Sequence, residues 1–494
     1  MKNLKVYTLK VFFLLTMFGG VLCAYAQDTS SPLVNNNPTW PSDEESKELL
    51  DELFYQRSIH SYYLTLNALN TIALRDGSEA AFGKGYNKVT TWYERMGPKT
   101  WAPTPNADIM YNMWYADLKE TGPLVVAAPP KSIAMITDFF QHTLTDIGKA
   151  GPDRGDGGLY LILPPDYNGF VPDGYYTVKS STYNVFLFFR FVLEQGPDGP
   201  DTTKAIAQAG RARTYPLWEL EKDIPAMEFH DASDTKLNHM YKHDFTYWTA
   251  LKKFIEHEPL EAFNAQTRGV LASIGIVKGQ PFNPTAKQVE LLTKAVEVAP
   301  KMILAYRKTG RDDQRYKYYD DRQYINVWAG ATSEFMQQQY LDIDVRAAFF
   351  QLAYSSAPAM VRRAIKSGSK YPVAMRDADG ETLSGSNHYK MHLPAGVPAR
   401  LYWAVTMYNI ADGTMPAETD QKLPTRNSLD KLVQNEDGSF DIYFGPTLPE
   451  GAPEKNWIQS VPDRDFFLIL RLYGSDIEFF DQTWRPDDVT KLKK

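Results

Sequence analysis

The chain of 494 residues contains a single cysteine, Cys23. It falls inside an N-terminal leader pattern, so cleavage leaves a mature chain with none. That excludes disulfides, thiolate metal sites and a cysteine nucleophile together. A basic excess is also lacking. The net charge of −7 argues against a nucleic-acid partner, because phosphate binding needs a basic surface. Beyond the leader no apolar run reaches the roughly 18 residues of a membrane span, and no membrane span is expected. There is no G-x-S-x-G and no H-E-x-x-H. GDGG at 155–158 lacks the strand–helix context of a phosphate loop, and SGSK at 367–370 is too short to identify a nucleophile without companion motifs.

What is present begins with the leader. Lys2 and Lys5 precede an apolar stretch from Val11 to Cys23, and Ala24-Tyr25-Ala26 fits a cleavage site. Cleavage near Ala26-Gln27 predicts a periplasmic or secreted protein. Lipid anchoring through Cys23 fits less well, since Leu22 stands where a small residue is wanted.

Two distant stretches share one pattern. GLYLILPPDYNGFVPDGYYTVKSSTYNVFLFFRF starts at Gly158, and GSFDIYFGPTLPEGAPEKNWIQSVPDRDFFLILRLY starts at Gly438. Each has a glycine turn, a strand, a Pro/Gly-rich connection, a second strand and a long apolar strand with one arginine. Those arginines are Arg190 and Arg471. Upstream, SIAMITDF ending at Phe139 matches YWAVTMYN ending at Asn409. The repeat predicts an α+β chain with two related antiparallel β-sandwich domains, a tandem duplication with helical segments before each. The expected layout is a leader over 1–26, a flexible lead over 27–45, a helical segment over 46–100, a first sandwich over 101–195, a helical linker or insertion over 196–370, and a second sandwich over 371–494. Within it, Asp76-Gly77 reads as a helix stop and Asp379-Gly380 as a hairpin turn.

At this point two families can be recognised. LSGSNHYKMHLPAGVPARLYWAVTMYN, NEDGSFDIYFGP, NWIQSVP and FFLILRLYG resemble the uncharacterised bacterial domain of unknown function 1214. TPNADIMY, GGLYLILPPDYNGFVPDGYYTV and TYNVFLFFRF resemble its usual companion, domain of unknown function 1254. The resemblance implies two β-sandwiches with helical insertions and no established activity. Asn409 stands where the family often carries Asp, so any carboxylate role there is missing from this chain.

Several residues could carry chemistry. Arg190 and Arg471 interrupt apolar strands, and a buried guanidinium needs partners. They could grip an anionic ligand bidentately, or clamp the fold that both copies share. Asn106, Asp108 and Tyr111 stand at a strand entrance, with Asp108 the candidate acid/base catalyst. Tyr402, Thr406 and Tyr408 alternate with Trp403, Val405 and Met407, so one face is core and the other is free to meet a ligand. Trp403, Tyr408, Asn456 and Trp457 are the ligand-binding candidates of the C-terminal half. No cofactor is expected. The only conceivable metal set is His230, His239 and His243, for which solvated loop histidines are the plainer account.

Three functions fit: a periplasmic hydrolase-type enzyme acting on a small molecule or glycan, a non-catalytic small-molecule or carbohydrate-binding protein, or a structural or assembly component. The asymmetric features, Asn106 with Asp108 and the Asn456-Trp457 loop, mark the expected site. A homo-oligomer is compatible with broad sheet surfaces.

Overall fold

Helix formation starts at Asp43, with Asp43, Glu44 and Glu45 placed where the helix dipole favours negative charge. The computed structural model describes residues 40–219, 223–310, 313–330 and 332–493. The leader, Cys23 and most of the expected lead lie outside the described residues. The first helix, Asp43–Phe82, runs through the expected stop at Asp76-Gly77. It ends at Gly83, whose φ of +84° suits glycine. Gly77 serves packing instead: a Cβ there would lie 2.2 Å from the carbonyl oxygen of Asn238. Contacts divide the chain into Met1–Leu50 and Asp51–Lys494, and every sheet belongs to the second unit.

The sheets form two sets in a mixed α+β architecture. In the first set, a six-stranded sheet has the order Glu228–Asp231, Lys88–Thr91, Met110–Asp117, Asn184–Phe191, Ile133–Asp138, Thr143–Ile147. Its four-stranded companion has the order Arg213–Pro216, Leu124–Ala128, Gly158–Leu163, Tyr176–Lys179. In the second set, the six-stranded sheet runs Tyr324–Ile325, Val373–Ala374, Phe466–Ser475, Ala399–Asn409, Thr425–Asn427, with Ser369–Lys370 also on Phe466–Ser475. Its companion runs Thr490–Lys491, Tyr389–Leu393, Phe440–Gly445, Trp457–Gln459.

Strand order and sense correspond between the sets. Asn184–Phe191 is antiparallel to both neighbours, as Phe466–Ser475 is to Val373–Ala374 and Ala399–Asn409. The Pro/Gly-rich connection is a crossover in both, because Gly158–Leu163 pairs in parallel with Tyr176–Lys179 and Phe440–Gly445 with Trp457–Gln459. The two central strands are buried at every position, which explains their continuous apolar runs. The Asp379-Gly380 turn forms, closed by the bridge between Arg376 and Thr382.

Residues 196–370 differ from the expected helical linker. They supply Arg213–Pro216, Glu228–Asp231 and Tyr324–Ile325 to the sheets. Strands of two to four residues are too short to show a period-2 pattern, and their partners lie far away in sequence. The helices of this region are Thr246–His257, Ala265–Ala272, Ala286–Gly310 and Ile343–Leu352, besides shorter turns. Pro300 sits inside Ala286–Gly310 and frees the carbonyl of Val296, which His243 Nδ1 reaches at 3.4 Å. Among the described residues no helix is long and apolar enough to cross a membrane.

Candidate functional site

Alternation along Ala399–Asn409 separates two environments. Trp403, Val405 and Met407 enter a core shared with Met391, Ile442 and Phe444 of the four-stranded sheet. Tyr402 and Tyr408 join the core on the opposite face, together with residues of the first set. That opposite face looks across at Tyr111, Phe188 and Arg190 of the first six-stranded sheet. Between them lies a cavity of about 110 Å³.

The cavity takes Asn106, Tyr111, Phe188 and Arg190 from the first half, and Phe467, Ile469 and Arg471 from the second. The intervening segment closes it with Ile325, Trp328, Phe349, Tyr354 and Ser355 among others. Arg190 and Arg471 therefore meet at one place. Arg307 also lines it and donates from Nη2 to the carbonyl of Ile410 at 3.0 Å. Among the described lining residues there is no Asp, Glu, His or Lys.

The two repeated arginines are held differently. Arg471, 3 % exposed, donates from Nη1 to Thr406 Oγ1 at 2.8 Å and from Nη2 to Tyr408 Oη at 2.7 Å. Arg190, 5 % exposed, pairs in register with Tyr111 and Ile133. It has no hydrogen bond or ion pair among the described residues, and its Nε is an orphaned donor. Its guanidinium lies 5.7 Å from the Phe188 ring centroid. Tyr111 stacks on that ring at 5.0 Å. Burial pushes the Tyr111 phenol well up, against the pull of Arg190 and Arg471. Two further lining residues carry buried orphaned polar atoms, Arg471 Nε and Ser355 Oγ, while the Tyr316 hydroxyl interacts with that of Tyr306. Ser355 also adopts φ +65°, rare for a residue with a side chain.

Asp108 does not line the cavity. It is 0 % exposed, and its carboxylate accepts from Arg95 Nη2 at 2.7 Å, Asn427 Nδ2 at 2.8 Å, Thr425 Oγ1 at 2.8 Å and Thr406 Oγ1 at 3.2 Å. Its carbonyl accepts from Tyr402 Oη. Asn106 Oδ1 accepts from the Asp108 amide at 2.9 Å, while its Nδ2 donates to Tyr473 Oη at 2.8 Å. Tyr408 Oη donates to the carbonyl of Pro105 at 2.6 Å. This network stitches residues 105–108, just before Met110–Asp117, onto the second six-stranded sheet behind the cavity wall.

The other candidates are placed apart. Trp403 packs on Phe440 in the second core. Asn456 is a buried clip, bonded to Val433 and to the carbonyl of Asp441. Trp457 Nε1 donates to the carbonyl of Gly445 at 3.0 Å. Neither Asn456 nor Trp457 lines the cavity. Asn409 Nδ2 closes a turn onto Thr414 Oγ1 at 3.0 Å. The histidines do not converge: His230 stacks on Phe82, His239 Nε2 meets Ser78 Oγ at 3.0 Å, and His243 serves the helix at Pro300. Burial lowers the His239 pKa to about 4. No group of three or more His, Cys, Asp or Glu capable of holding a metal occurs among the described residues.

With this geometry in hand, the family matches can be placed on it. Residues 86–214 match the model described as protein of unknown function (DUF1254), and residues 368–477 match protein of unknown function (DUF1214). The segment matching DUF1254 precedes the segment matching DUF1214. Asn106, Tyr111 and Arg190 thus come from the DUF1254 part, and Phe467, Ile469 and Arg471 from the DUF1214 part. Trp328, Phe349 and Ser355 lie between the two matched regions. The VPA0106 protein from Vibrio parahaemolyticus, known from its crystal structure, is similar at 18 % identity with a TM-score of 0.54. The similarity covers 89 % of this chain and 100 % of that one. It speaks for the fold alone. A putative uncharacterized protein from Burkholderia cenocepacia matches at 12 % identity with a TM-score of 0.37, over 91 % of this chain and 97 % of that one. No curated protein matches the chain.

The lining residues between the DUF1254 and DUF1214 matches are the ones sequence reasoning missed. Their signal was weak: an aromatic-dense run from Tyr316 to Trp328 without helical period. A second, wider cleft of about 1230 Å³ borders Asp43–Phe82. Its walls mix Arg75, Asp76, Glu79, Glu120 and Lys253, so it presents no single ligand chemistry.

Proposed function

We propose that this chain is a small-molecule-binding protein whose site is the cavity between the two six-stranded sheets. One observation carries the reading: buried polar atoms without partners, on Arg190, Ser355 and Arg471, all belong to residues that line this one space. Buried polar groups are normally satisfied, and orphans gathered at a cavity point to something that completes them. The size suits a small molecule rather than a glycan chain, since an apolar cavity of ~150 Å³ holds benzene.

A hydrolase would need a nucleophile or activated water beside a base. Ser355 and Thr104 are available, but the lining offers no His, Asp, Glu or Lys to activate them. Binding is therefore the better-supported function. In this reading Asp108 positions the wall and takes no part in chemistry. We also read each six-stranded and four-stranded pair as a β-sandwich, and the two as a tandem duplication. The shared strand order and the core joining Trp403 to Ile442 support this. Export after cleavage near Ala26-Gln27 and assembly into homo-oligomers are kept as proposals from the sequence.

The test is Ala348→Phe, which fills the cavity from the helix Ile343–Leu352. Native mass spectrometry with neutral and acidic compounds between benzene and benzoate in size should show one-to-one binding to the wild-type chain. Ala348→Phe should lose it while keeping its melting temperature within a few degrees. Equal binding by both proteins, or none by either, would reject the site.

A further inference from the structure

The chemical class of the ligand can be read from how the two arginines are committed. Arginine keeps its charge at any physiological pH, and a buried guanidinium without a partner is strongly unfavourable. Arg190 is in that position. The nearby carboxylate is Asp146, on the same sheet face, where it pairs in register with Met135. No Asp146 oxygen comes within the 4.0 Å of an ion pair with Arg190. Its Oδ2 accepts instead from the Ala359 amide at 3.2 Å, and its Oδ1 has no partner.

Arg471 is already anchored. Its two terminal nitrogens each donate once, to Thr406 and Tyr408, so it adds positive field from a fixed position, with Nε still unpartnered. The rest of the lining is apolar and largely aromatic: Phe188, Ile325, Trp328, Phe349 and Phe467. The orphaned groups are two Nε–H donors and the Ser355 hydroxyl, all able to donate.

We propose that the cavity selects a small organic monocarboxylate with a flat or branched apolar body, and that Arg190 takes its charge through a two-pronged contact. The inference rests on the cavity being a binding site, as argued above, and specifies what binds there. One carboxylate is expected rather than two, because only Arg190 makes no hydrogen bond or ion pair among the described residues, whereas Arg471 is anchored by Thr406 and Tyr408. Planar oxygens match the guanidinium edge, and the apolar walls take the body. The Ser355 hydroxyl supplies a further donor to an acceptor-rich head.

The experiment is calorimetric titration of the full chain with benzoate, isovalerate, benzamide and inorganic phosphate. It is repeated on Arg190→Gln, Arg190→Lys and Ala348→Phe. Benzoate or isovalerate should bind the wild type. Arg190→Gln should weaken that binding at least ~30-fold, the loss typical of one truncated partner in a buried charge pair. Arg190→Lys should recover part of it, because it keeps charge without the fork. Benzamide should bind more weakly than benzoate and be indifferent to Arg190. If benzamide binds as well as benzoate, and only Ala348→Phe abolishes both, the carboxylate inference fails while the cavity reading survives. Phosphate binding that depends on Arg190 and exceeds that of both acids would overturn the carboxylate in favour of an inorganic oxyanion. If no probe binds the wild type, both readings fall. Should Arg190→Gln not fold, Arg190→Lys still decides: undiminished benzoate affinity there would refute the two-pronged contact.

Discussion

Arg190 and Arg471 occupy corresponding strands of the two sheet sets, yet Arg471 is anchored by two hydrogen bonds and Arg190 makes none among the described residues. Arg471 belongs to a network that runs through Thr406 to Asp108 and Arg95, and through Tyr408 to Pro105. Arg190 lies on an aromatic ring and faces the cavity. A shared position therefore does not mean a shared role. The second set uses its arginine to hold the halves together, and the first leaves its arginine without a hydrogen bond among the described residues. If the comparison is right, substitutions on the second side should cost stability and those on the first side should cost binding.

The largest effect belongs to Asp108. Asp108→Ala leaves Arg95, Asn427, Thr425 and Thr406 without their common acceptor. Breaking a buried pair by removing one partner costs about 3–5 kcal/mol. Equilibrium unfolding in urea, or a thermal scan where unfolding is irreversible, reads this loss. A drop below about 1 kcal/mol would mean that the network is not what holds residues 105–108 to the second sheet.

Arg471→Met comes next. It removes two charged donors, but Thr406 keeps Asp108 and Thr425, and Tyr408 keeps Pro105. A cost of about 2 kcal/mol is expected, near that of hydrogen bonds to a charged group. The same unfolding measurement applies, and Arg471→Met should stand clearly below Arg190→Met in stability.

This contrast is only partly legible in sequence. The strands bearing the two arginines are visible because each is an apolar run bounded by glycine turns, and the face alternation from Tyr402 to Tyr408 follows from strand geometry alone. Both family resemblances rest on such runs. What the chain does not advertise is that the two central strands present their arginines to one space, since no local pattern encodes which sheet faces which. Repetition of the arginines invites a purely architectural reading, and that fits Arg471 only. Asp108 shows the converse. Its Asn-Ala-Asp setting looks like an exposed entrance, but the four donors that bury it come from Arg95 and from strands some 300 residues later, pairings set by tertiary packing. The walls from Ile325 to Ser355 are hidden for a third reason. Their elements are short and irregular, so burial rather than periodicity selects their residues.

A smaller effect tests the Arg190 side through pH. Burial raises the Asp146 carboxyl, while Arg190 and the Ala359 amide pull it back. A folded pKa above the unfolded value, about 3.8, gives a contribution fully present below pH 3.8 and lost as pH rises through the folded value. Without Arg190 the folded pKa climbs and that loss deepens. Arg190→Met should therefore lose more stability than wild type between pH 4 and pH 7, and Asp146→Asn should abolish the difference. Parallel pH profiles for wild type and Arg190→Met would show that the two groups do not interact.

The smallest effect is the most diagnostic. At pH 4, where the raised Asp146 carboxyl carries less charge than at pH 7, Arg190→Met in the ligand-free chain should lie within about 1 kcal/mol of wild type or above it. Replacing an uncompensated buried charge by an apolar side chain of similar length is often neutral or stabilising. Among the described residues no hydrogen bond is lost, because Arg190 makes none there, and methionine can follow the same path over Phe188. The measurement is the unfolding midpoint of both proteins at pH 4 without added organic acid. A loss as large as that of Arg471→Met would mean that Arg190 is also a clamp, with partners that form in solution. A small change at pH 4 combined with lost benzoate binding at pH 7 separates the arginine that builds the wall from the one that serves the cavity.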